Sequence, residues 1–264
     1  MSASDLSQSI RATLLTADPH AKVMATRKLV RDWRGGRLAH GFSAEVPDRP
    51  NWPDRLQLLP PGQMPKRRSG GSADKRIALW HALAHIEFVA IDLALDLVGR
   101  FGAEMDRDFA ADFLSVAADE AMHFALLDRK LARLGAAYGD LPAHDGLWQA
   151  ASDTAGDVAA RLAVVPMVLE ARGLDVTPAT ITRVRAQGDE NGARILERIL
   201  DDEIRHVAFG SKHFSRICAA RREIPTIAWK RFVKQHFRGR LKPPFNDSAR
   251  ESAGLPREYY AVLA

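Results

Sequence analysis

The chain has 264 residues, of which 46% are hydrophobic, and it carries a formal net charge of +5 at pH 7. That length is sufficient for a large buried core, and the basic balance favours anionic partners such as nucleic acid or phosphorylated metabolites. Since Cys218 is the one cysteine, the sequence excludes internal disulfides and thiolate metal clusters, so a metal site must use oxygen and nitrogen ligands.

The first part of the chain, up to about residue 36, contains two short helical patterns separated by Asp18-Pro19. The stretch from Gly41 to Ser72 then holds six of the fourteen prolines, which forbid a regular helix. Its apolar residues favour an extended segment that wraps a core: Trp52, Leu56, Leu58 and Leu59. We therefore predict a helical and Pro-rich N-terminal extension over residues 1–72.

Four long helical patterns follow, over residues 73–99, 106–136, 147–172 and 190–220. Pro166 is expected to kink the third helix or to open its hydrogen bonding, and Thr177-Pro178 to begin a short helix before the fourth. A fifth pattern at 224–237 precedes a Pro-rich tail. The sequence thus predicts an all-α fold, with a four-helix bundle over 73–220 and a C-terminal helix and tail over 221–264.

A repeated pattern of acidic residues and histidines runs through the four long helices. Glu120 and His123 form a Glu-x-x-His motif, and Glu203 and His206 repeat it 83 positions later. The same offset relates Glu87 to Glu170, Asp92 to Asp175, and Asp119 to Asp202. The chain therefore contains two halves, each with a glutamate followed 33 residues later by Glu-x-x-His.

The residues one helical turn from these glutamates are mainly apolar, which predicts that four carboxylates and two imidazoles point into a core. Unpaired charges would be prohibitive there. Two divalent cations would balance four carboxylates, and oxygen-rich ligands with one imidazole per metal suit iron or manganese. The residues therefore predict two metal ions roughly 3.5 to 4 Å apart.

The six residues in this order resemble the ligand pattern of the ferritin-like dinuclear carboxylate proteins, in which two helices give one Glu each and two give Glu-x-x-His. The resemblance covers about residues 73–220 and implies that Glu87, Glu120 and His123 bind one metal and that Glu170, Glu203 and His206 bind the other. It implies Glu120 and Glu203 as the bridges. It also implies that Asp119 and Asp202 hydrogen-bond the ligand histidines.

The flanking text LWHALAHIE, MPKRR and PPFNDSARESAG is similar to an uncharacterised ferritin-like family of unknown function. The relative of known activity that this resemblance points to is a tRNA hydroxylase acting on isopentenylated adenosine. Two basic runs are compatible with an RNA-facing surface, although such runs are more often only solvated: Lys66, Arg67, Arg68, Lys230, Arg231 and Lys234.

Other ionisable residues near the motifs are expected to have structural roles. His81 and His85 point away from the face of Glu87, which predicts interhelix hydrogen bonds rather than metal ligation. His213 is interpreted as a core residue. For Asp92 and Asp175 two interpretations stay open, as buried polar partners or as residues at helix ends.

The expected function is an oxygen-dependent dimetal oxidase or hydroxylase, with two iron ions and manganese as the alternative metal. The extensions on both sides of the bundle favour a substrate pocket over simple storage. Two alternatives stay open: a non-catalytic iron-handling or oxidative-stress protein, and a tRNA-modifying hydroxylase. The sequence also predicts a cytoplasmic protein with no membrane span and a small-molecule or tRNA substrate, with a dimer as the candidate oligomer. It does not identify the electron donor.

Overall fold

The computed structural model describes residues 5–60, 63–64 and 73–261. These residues are predominantly helical, and their strands are two pieces of two residues each. The all-α prediction is confirmed at this level. The chain divides into two compact units, a first unit with the described residues up to Trp148 and a second unit from Gln149 onward. The predicted division at residues 72 and 220 stays a prediction.

The first unit is built around two long helices joined by a short connection. Asp106 caps the second of them, because its carboxylate accepts a hydrogen bond from the N–H of Phe109 at 2.9 Å. Two shorter helices precede the pair, so the unit contains α1 (Leu6–Leu14), α2 (Pro19–Arg34), α3 (Ala73–Phe101) and α4 (Arg107–Arg133). Both short helices were predicted, and Pro19 occupies the first turn of α2 behind the N-cap Asp18.

Helix α3 is buried on every side between Glu87 and Val98. Helices α1 and α4 both pack against it, which explains why its sequence is apolar around the whole circumference rather than along one stripe. Glu87, Asp92 and Asp96 are buried within this run. None of the helices in the described ranges is long and apolar enough to cross a membrane.

The Pro-rich segment packs along the first unit, as its apolar residues predicted. The N–H of Asn51 donates to the carbonyl of Leu14 at 2.9 Å. Further along, β1 (Leu58–Leu59) pairs in parallel with β2 (Ala143–His144), which lies after α4. Residues 61–62 and 65–72, which include the basic residues Lys66, Arg67 and Arg68, lie outside the described residues.

The boundary between the units lies within the short helix α5 (Gly146–Ser152), after Trp148. The second unit then contains α6 (Val158–Val164), a π-helical segment (Val165–Glu170), α7 (Ala171–Ala186), α8 (Glu190–Ala220), α9 (Pro225–His236) and α10 (Asp247–Ser252). Its core is a helical pair in which α7 and α8 pack together, and α6 and α9 pack against α8.

The prediction of one helix over residues 147–172 is wrong, because the chain leaves the helical conformation between α5 and α6. Asp157 starts a new helix by accepting a hydrogen bond from the N–H of Ala159 at 2.8 Å. Pro166 does open the backbone ladder as expected, by placing a π-helical turn at Val165–Glu170. The indole N–H of Trp229 donates to the carbonyl of Ala163 at 3.1 Å, just before this turn.

The prediction that Thr177-Pro178 begins a helix is also wrong. Pro178 lies inside α7, where it has no N–H to donate to the carbonyl of Leu174 one turn earlier. The side-chain amide of Asn246 donates to that carbonyl instead, at 3.1 Å. The hydrogen bond that proline removes from the helix is thus replaced by a residue of the C-terminal tail.

Candidate metal centre

Three predicted ligands converge inside the first unit, namely Glu87 on α3 and Glu120 and His123 on α4. The Nδ1 atom of His123 lies 3.2 Å from Oε2 of Glu87 and 3.3 Å from Oε2 of Glu120. Each residue offers a ligand atom, and these atoms lie within 4.8 Å of one another. A buried cluster of glutamate and histidine side chains that can hold a metal ion is therefore present in this unit.

The positions of these side chains follow from helix periodicity. Glu120 and His123 are three residues apart and share the inner face of α4, and both are completely buried. Glu87 is 5% exposed and lies in the run of α3 that is buried on all sides. The neighbouring Phe88 and Phe124 pack with ring centroids 5.1 Å apart and line this part of the core with apolar surface.

The electrostatics of the cluster require a positive charge. Burial raises the pKa of Glu87 well above its usual range, and the nearby carboxylate of Glu120 raises it further. Burial acts to lower the pKa of His123, but the hydrogen bonds with Glu120 and Glu87 outweigh that effect and raise this pKa to about 11. In the metal-free protein the cluster therefore tends to keep protons, because burial disfavours two carboxylate charges at one site.

The same three residues fit a divalent cation. Carboxylate oxygens and an imidazole nitrogen are ligands that suit iron and manganese, and a metal ion would replace these protons as the source of positive charge. Binding would release the protons, because metal ligation requires a neutral imidazole and ionised carboxylates. The burial of all three side chains keeps bulk water from competing for the ion.

The second unit carries the repeated residues, Glu170 at the end of the π-helical segment and Glu203 and His206 on α8. His206 is completely buried and Glu203 is 8% exposed. The Nδ1 atom of His206 lies 3.8 Å from Oε1 of Glu203, so the Glu-x-x-His spacing again brings the two groups together. The full set of six ligands stays a prediction.

The two aspartates that precede the motif glutamates are Asp119 on α4 and Asp202 on α8. Asp202 is 5% exposed and accepts hydrogen bonds from Arg198 at 2.6 Å and from Arg205 at 3.3 Å. Asp119 is half-buried on α4. The predicted support of ligand histidines by these carboxylates stays a prediction.

Comparison with known proteins places the chain in a family. The family profile described as "Protein of unknown function (DUF455)" matches residues 15–261, which is most of the chain. The chain belongs to the DUF455 family. It is also 36% identical over 266 residues to an "Uncharacterized protein" of Haemophilus influenzae (strain ATCC 51907 / DSM 11121 / KW20 / Rd), a match that covers 94% of this chain and 90% of the relative. No solved structure matches it.

A tyrosine that the sequence interpretation missed lies beside the metal cluster of this DUF455 chain. Tyr138 is completely buried, its ring packs 5.1 Å from Phe88 and 5.2 Å from Phe124, and its hydroxyl lies 2.9 Å from Nδ1 of His85. Tyr138 stands in the turn sequence YGDLP after α4, which carries no local signal for a buried aromatic residue. Tyr138 therefore adds to the aromatic wall near the cluster.

His81 and His85 form hydrogen bonds, as predicted, but their partners are in the connection after α4 and not on a neighbouring helix. The N–H of Gly139 donates to Nε2 of His81 at 2.9 Å, and Nε2 of His85 lies 3.1 Å from the carbonyl oxygen of His144. Burial lowers the pKa of His85 to about 4, so this ring is neutral at pH 7. His213 is completely buried on α8, in agreement with the interpretation as a core residue.

The choice left open for Asp92 and Asp175 is resolved in this DUF455 structure, since both are buried ion-pair partners. Asp92 accepts hydrogen bonds from Lys22 at 2.7 Å and from the indole N–H of Trp52 at 2.8 Å. Asp175 accepts from Nε and Nη2 of Arg250 at 2.8 and 2.7 Å. Each aspartate therefore binds a side chain from a segment outside its own helix pair, which is α3 and α4 for Asp92 and α7 and α8 for Asp175.

Proposed function

We propose that this chain binds two metal ions, one in each copy of the repeated Glu and Glu-x-x-His set, and uses them in an oxygen-dependent oxidation or hydroxylation. The observation that carries the proposal is the convergence of Glu87, Glu120 and His123 in a buried site of the first unit. The repeat of the pattern 83 residues later supports a second metal held by Glu170, Glu203 and His206. The same repeat supports a ferritin-like four-helix bundle as the fold.

Iron is the metal that we propose, with manganese as the alternative. The set offers two carboxylates and one imidazole per metal, and thiolate ligands are absent from it, which disfavours zinc and copper. When bound, a pair of ferrous ions supplies electrons and Lewis acidity for the reduction of dioxygen. Hydroxylation of a C–H bond by one dioxygen molecule also consumes two electrons and two protons and forms one water, so an external reductant is required.

The residues of the chain contribute binding, orientation and exclusion of water. Glu87, Glu120 and His123 would hold the metal on two helices that pack against each other, and the rings of Phe88 and Phe124 keep the surroundings apolar. Such surroundings strengthen every electrostatic interaction at the site and protect reactive species from bulk water. A carboxylate can also change its mode of ligation as the charge of the metal changes.

Metal counting tests the site itself. The full chain would be loaded anaerobically with ferrous iron, desalted, and its metal content measured by mass spectrometry. We expect about two ions per chain, and about one or none in Glu120→Gln. The control is Glu104→Gln, an exposed residue between α3 and α4, which should retain the content of the parent protein. About two ions per chain in Glu120→Gln, or none in the parent, would contradict the proposal.

Oxygen consumption tests the reaction. On exposure to air in the presence of a reductant, the loaded parent protein should consume dioxygen repeatedly, and Glu120→Gln should not. A single round of iron oxidation, with retention of ferric iron in a large assembly on size exclusion, would favour iron handling over catalysis of an organic oxidation.

A second candidate function, modification of tRNA, is favoured by the charge of the segment from Arg221 to Lys242. It contains eight arginine and lysine residues and one acidic residue, Glu223, and Lys234, Arg240 and Lys242 are exposed. Binding through phosphate contacts should weaken steeply as salt rises. We therefore expect tRNA affinity measured by filter binding to fall between 50 and 200 mM salt by at least about tenfold; affinity that does not depend on salt would count against this candidate.

A further inference from the structure

The second unit contains a cavity of about 160 Å³ beside the π-helical segment. Val168 and Leu169 of that segment form one wall, and the tail after α9 forms the opposite wall. The whole lining consists of Val168, Leu169, Arg172, Asp175, Phe237, Arg240, Leu241, Lys242, Phe245 and Arg250. No predicted metal ligand is in this lining.

The walls of the cavity are mainly apolar, and two phenylalanines, Phe237 and Phe245, contribute to them. A cavity of about 150 Å³ with apolar walls accommodates benzene. The size and lining of this cavity therefore suit an apolar group about as large as one aromatic ring.

The charges around this apolar space are predominantly positive. Four lining residues are cationic, Arg172, Arg240, Lys242 and Arg250, and one is acidic, Asp175. The carboxylate of Asp175 does not repel an anion, because Arg250 pairs with it through two nitrogens and the N–H of Asn246 donates to it at 3.0 Å. The cavity therefore presents a net positive potential to a ligand.

One nitrogen of the buried Arg250 has no acceptor. Arg250 is 1% exposed, and its Nε and Nη2 atoms are engaged with Asp175. Its Nη1 atom is buried without a hydrogen-bond partner among the described residues. A buried donor without an acceptor is unfavourable, and Arg250 is one of the residues that line the cavity.

We propose that this cavity binds a small organic anion, with an apolar body about the size of one aromatic ring and a single carboxylate or phosphate. The apolar body lies between the π-helical segment and Phe237, and the oxyanion pairs with Arg250, Arg240 and Lys242. Leu169, which lines the cavity, directly precedes Glu170 in the chain. The further step, that this ligand is the substrate of the metal centre, rests on the proposed function. The binding of the ligand to the cavity does not.

Isothermal titration calorimetry on the metal-free full chain tests the binding with three probes, each of which contains one benzene ring. Benzoate and phenyl phosphate carry an oxyanion, and benzyl alcohol is the neutral comparison. We expect at least one anion to bind about tenfold or more tightly than benzyl alcohol, and the tighter of the two anions identifies the headgroup. Inorganic phosphate alone should bind more weakly than phenyl phosphate.

Variants locate the binding to the cavity. The double variant Arg240→Gln, Lys242→Gln should weaken the binding of the tighter anion by about tenfold. Leu241→Trp enlarges a lining side chain and should abolish the binding of both anions. The control combines Arg222→Gln with Lys234→Gln, which remove the same charge from exposed residues outside the lining, and should bind like the parent. Arg250 is left unchanged because its removal would leave Asp175 buried and unpaired.

Three results would overturn the proposal: equal binding of benzyl alcohol and the anions, equal weakening by the control variant, or no binding of any probe. The outcome is separable from that of the metal site, since Glu120→Gln is expected to lose metal and to bind the anion as the parent does. Anion binding without stoichiometric metal would support the proposed anion site and contradict the proposed dimetal function.

Discussion

The Nζ atom of Lys22 lies 2.7 Å from Oδ1 of Asp92, and both side chains are completely buried. The pair joins α2 to α3, and Lys22 also donates to the carbonyl of Asn51 in the Pro-rich segment at 3.0 Å. In the second unit Asp175, 83 positions after Asp92, pairs in the same way with Arg250 of α10. The repeated helix pairs therefore use equivalent aspartates to hold the N-terminal and C-terminal segments.

Removal of one partner of the Lys22–Asp92 pair is expected to be strongly destabilising. Lys22→Met leaves an uncompensated buried carboxylate, so the free energy of unfolding should fall by about 3 to 5 kcal/mol. Urea denaturation followed by circular dichroism measures this loss. The double variant Lys22→Met, Asp92→Leu should recover most of it, because both charges are then replaced by apolar groups.

The control for this prediction is Lys28→Met in the exposed pair Lys28–Asp32 on the same helix. Its loss of unfolding free energy should be much smaller than that of Lys22→Met, since exposed pairs contribute little. Equal losses for the buried and exposed pairs would show that the Lys22–Asp92 contact is not a specific anchor.

Asp175→Asn should release the C-terminal tail of the second unit. The substitution removes the charge that pairs with the buried Arg250, so we expect a loss of about 3 kcal/mol or more in unfolding free energy. Limited proteolysis should then cut faster between residues 238 and 246 than in the parent. Glu251→Gln, exposed on α10, is the control and should leave both the stability and the cleavage rate unchanged.

Gly210 on α8 is predicted to be required by its contact with Pro166. A Cβ at this position would lie 2.6 Å from Cβ and Cγ of Pro166, a ring that cannot move away easily. Gly210→Ala should therefore lower the free energy of unfolding by about 1 to 3 kcal/mol, which is the usual cost of overpacking. Thermal and urea unfolding would measure it.

Gly173 provides the matched comparison, because it lies inside α7 and a Cβ there meets nothing within 4 Å. Gly173→Ala should stabilise by about 0.5 to 1 kcal/mol through improved helix propensity. A stabilising Gly210→Ala would show that α8 does not approach the π-helical segment as closely as described.

Asp5 gives a prediction for the dependence of stability on pH. Burial acts to raise its pKa, but hydrogen bonds from Ser43, Gln8 and Ser7 outweigh this effect and lower the pKa from 3.8 to about 2. The ionised N-cap of Asp5 therefore makes its full contribution to the free energy of unfolding above pH 3.8. This contribution is lost as the pH falls through about 2. Asp5→Ala should cost about 1 kcal/mol at pH 7.

Urea titrations at several pH values test this sign. The difference in unfolding free energy between Asp5→Ala and the parent should be constant from neutral pH to about pH 4 and should decrease below that pH. Asp201→Ala, exposed on α8, is the comparison. A difference that grows as the pH falls would contradict the capping role.

Local sequence predicted the helices whose ends carry strong signals. The limits of α8 follow from the N-cap Asp189 and from the apolar periodicity, and the spacing of Glu120 and His123 is sufficient to place both on one face. Convergence with Glu87 also followed from the sequence, because it requires only that α3 and α4 pack as neighbours.

Other features depend on contacts between residues far apart in the chain and could not be predicted from local patterns. Pro178 is tolerated inside α7 because Asn246, 68 residues away, donates to the carbonyl of Leu174. The break before α6 does carry a local signal, since Gly156 precedes the N-cap Asp157, but the apolar residues further away on both sides favoured one continuous helix. Nothing local distinguishes Asp92 and Asp175 from residues at helix ends, since their partners are Lys22 and Arg250.

The π-helical turn at Val165–Glu170 makes this part of the chain tolerant of a change in length. A π turn holds one residue more than an α turn, whereas each residue of an α-helix advances by about 100° around the axis. Deletion of a single residue from the turn would restore a continuous α-helix and would leave the direction of Glu170 relative to α6 largely unchanged, because the wider turn already accommodates the extra residue. The same deletion inside α8 would rotate every later side chain of that helix by about 100°, so the chain can lose one residue before Glu170 but not in the part of α8 before Glu203.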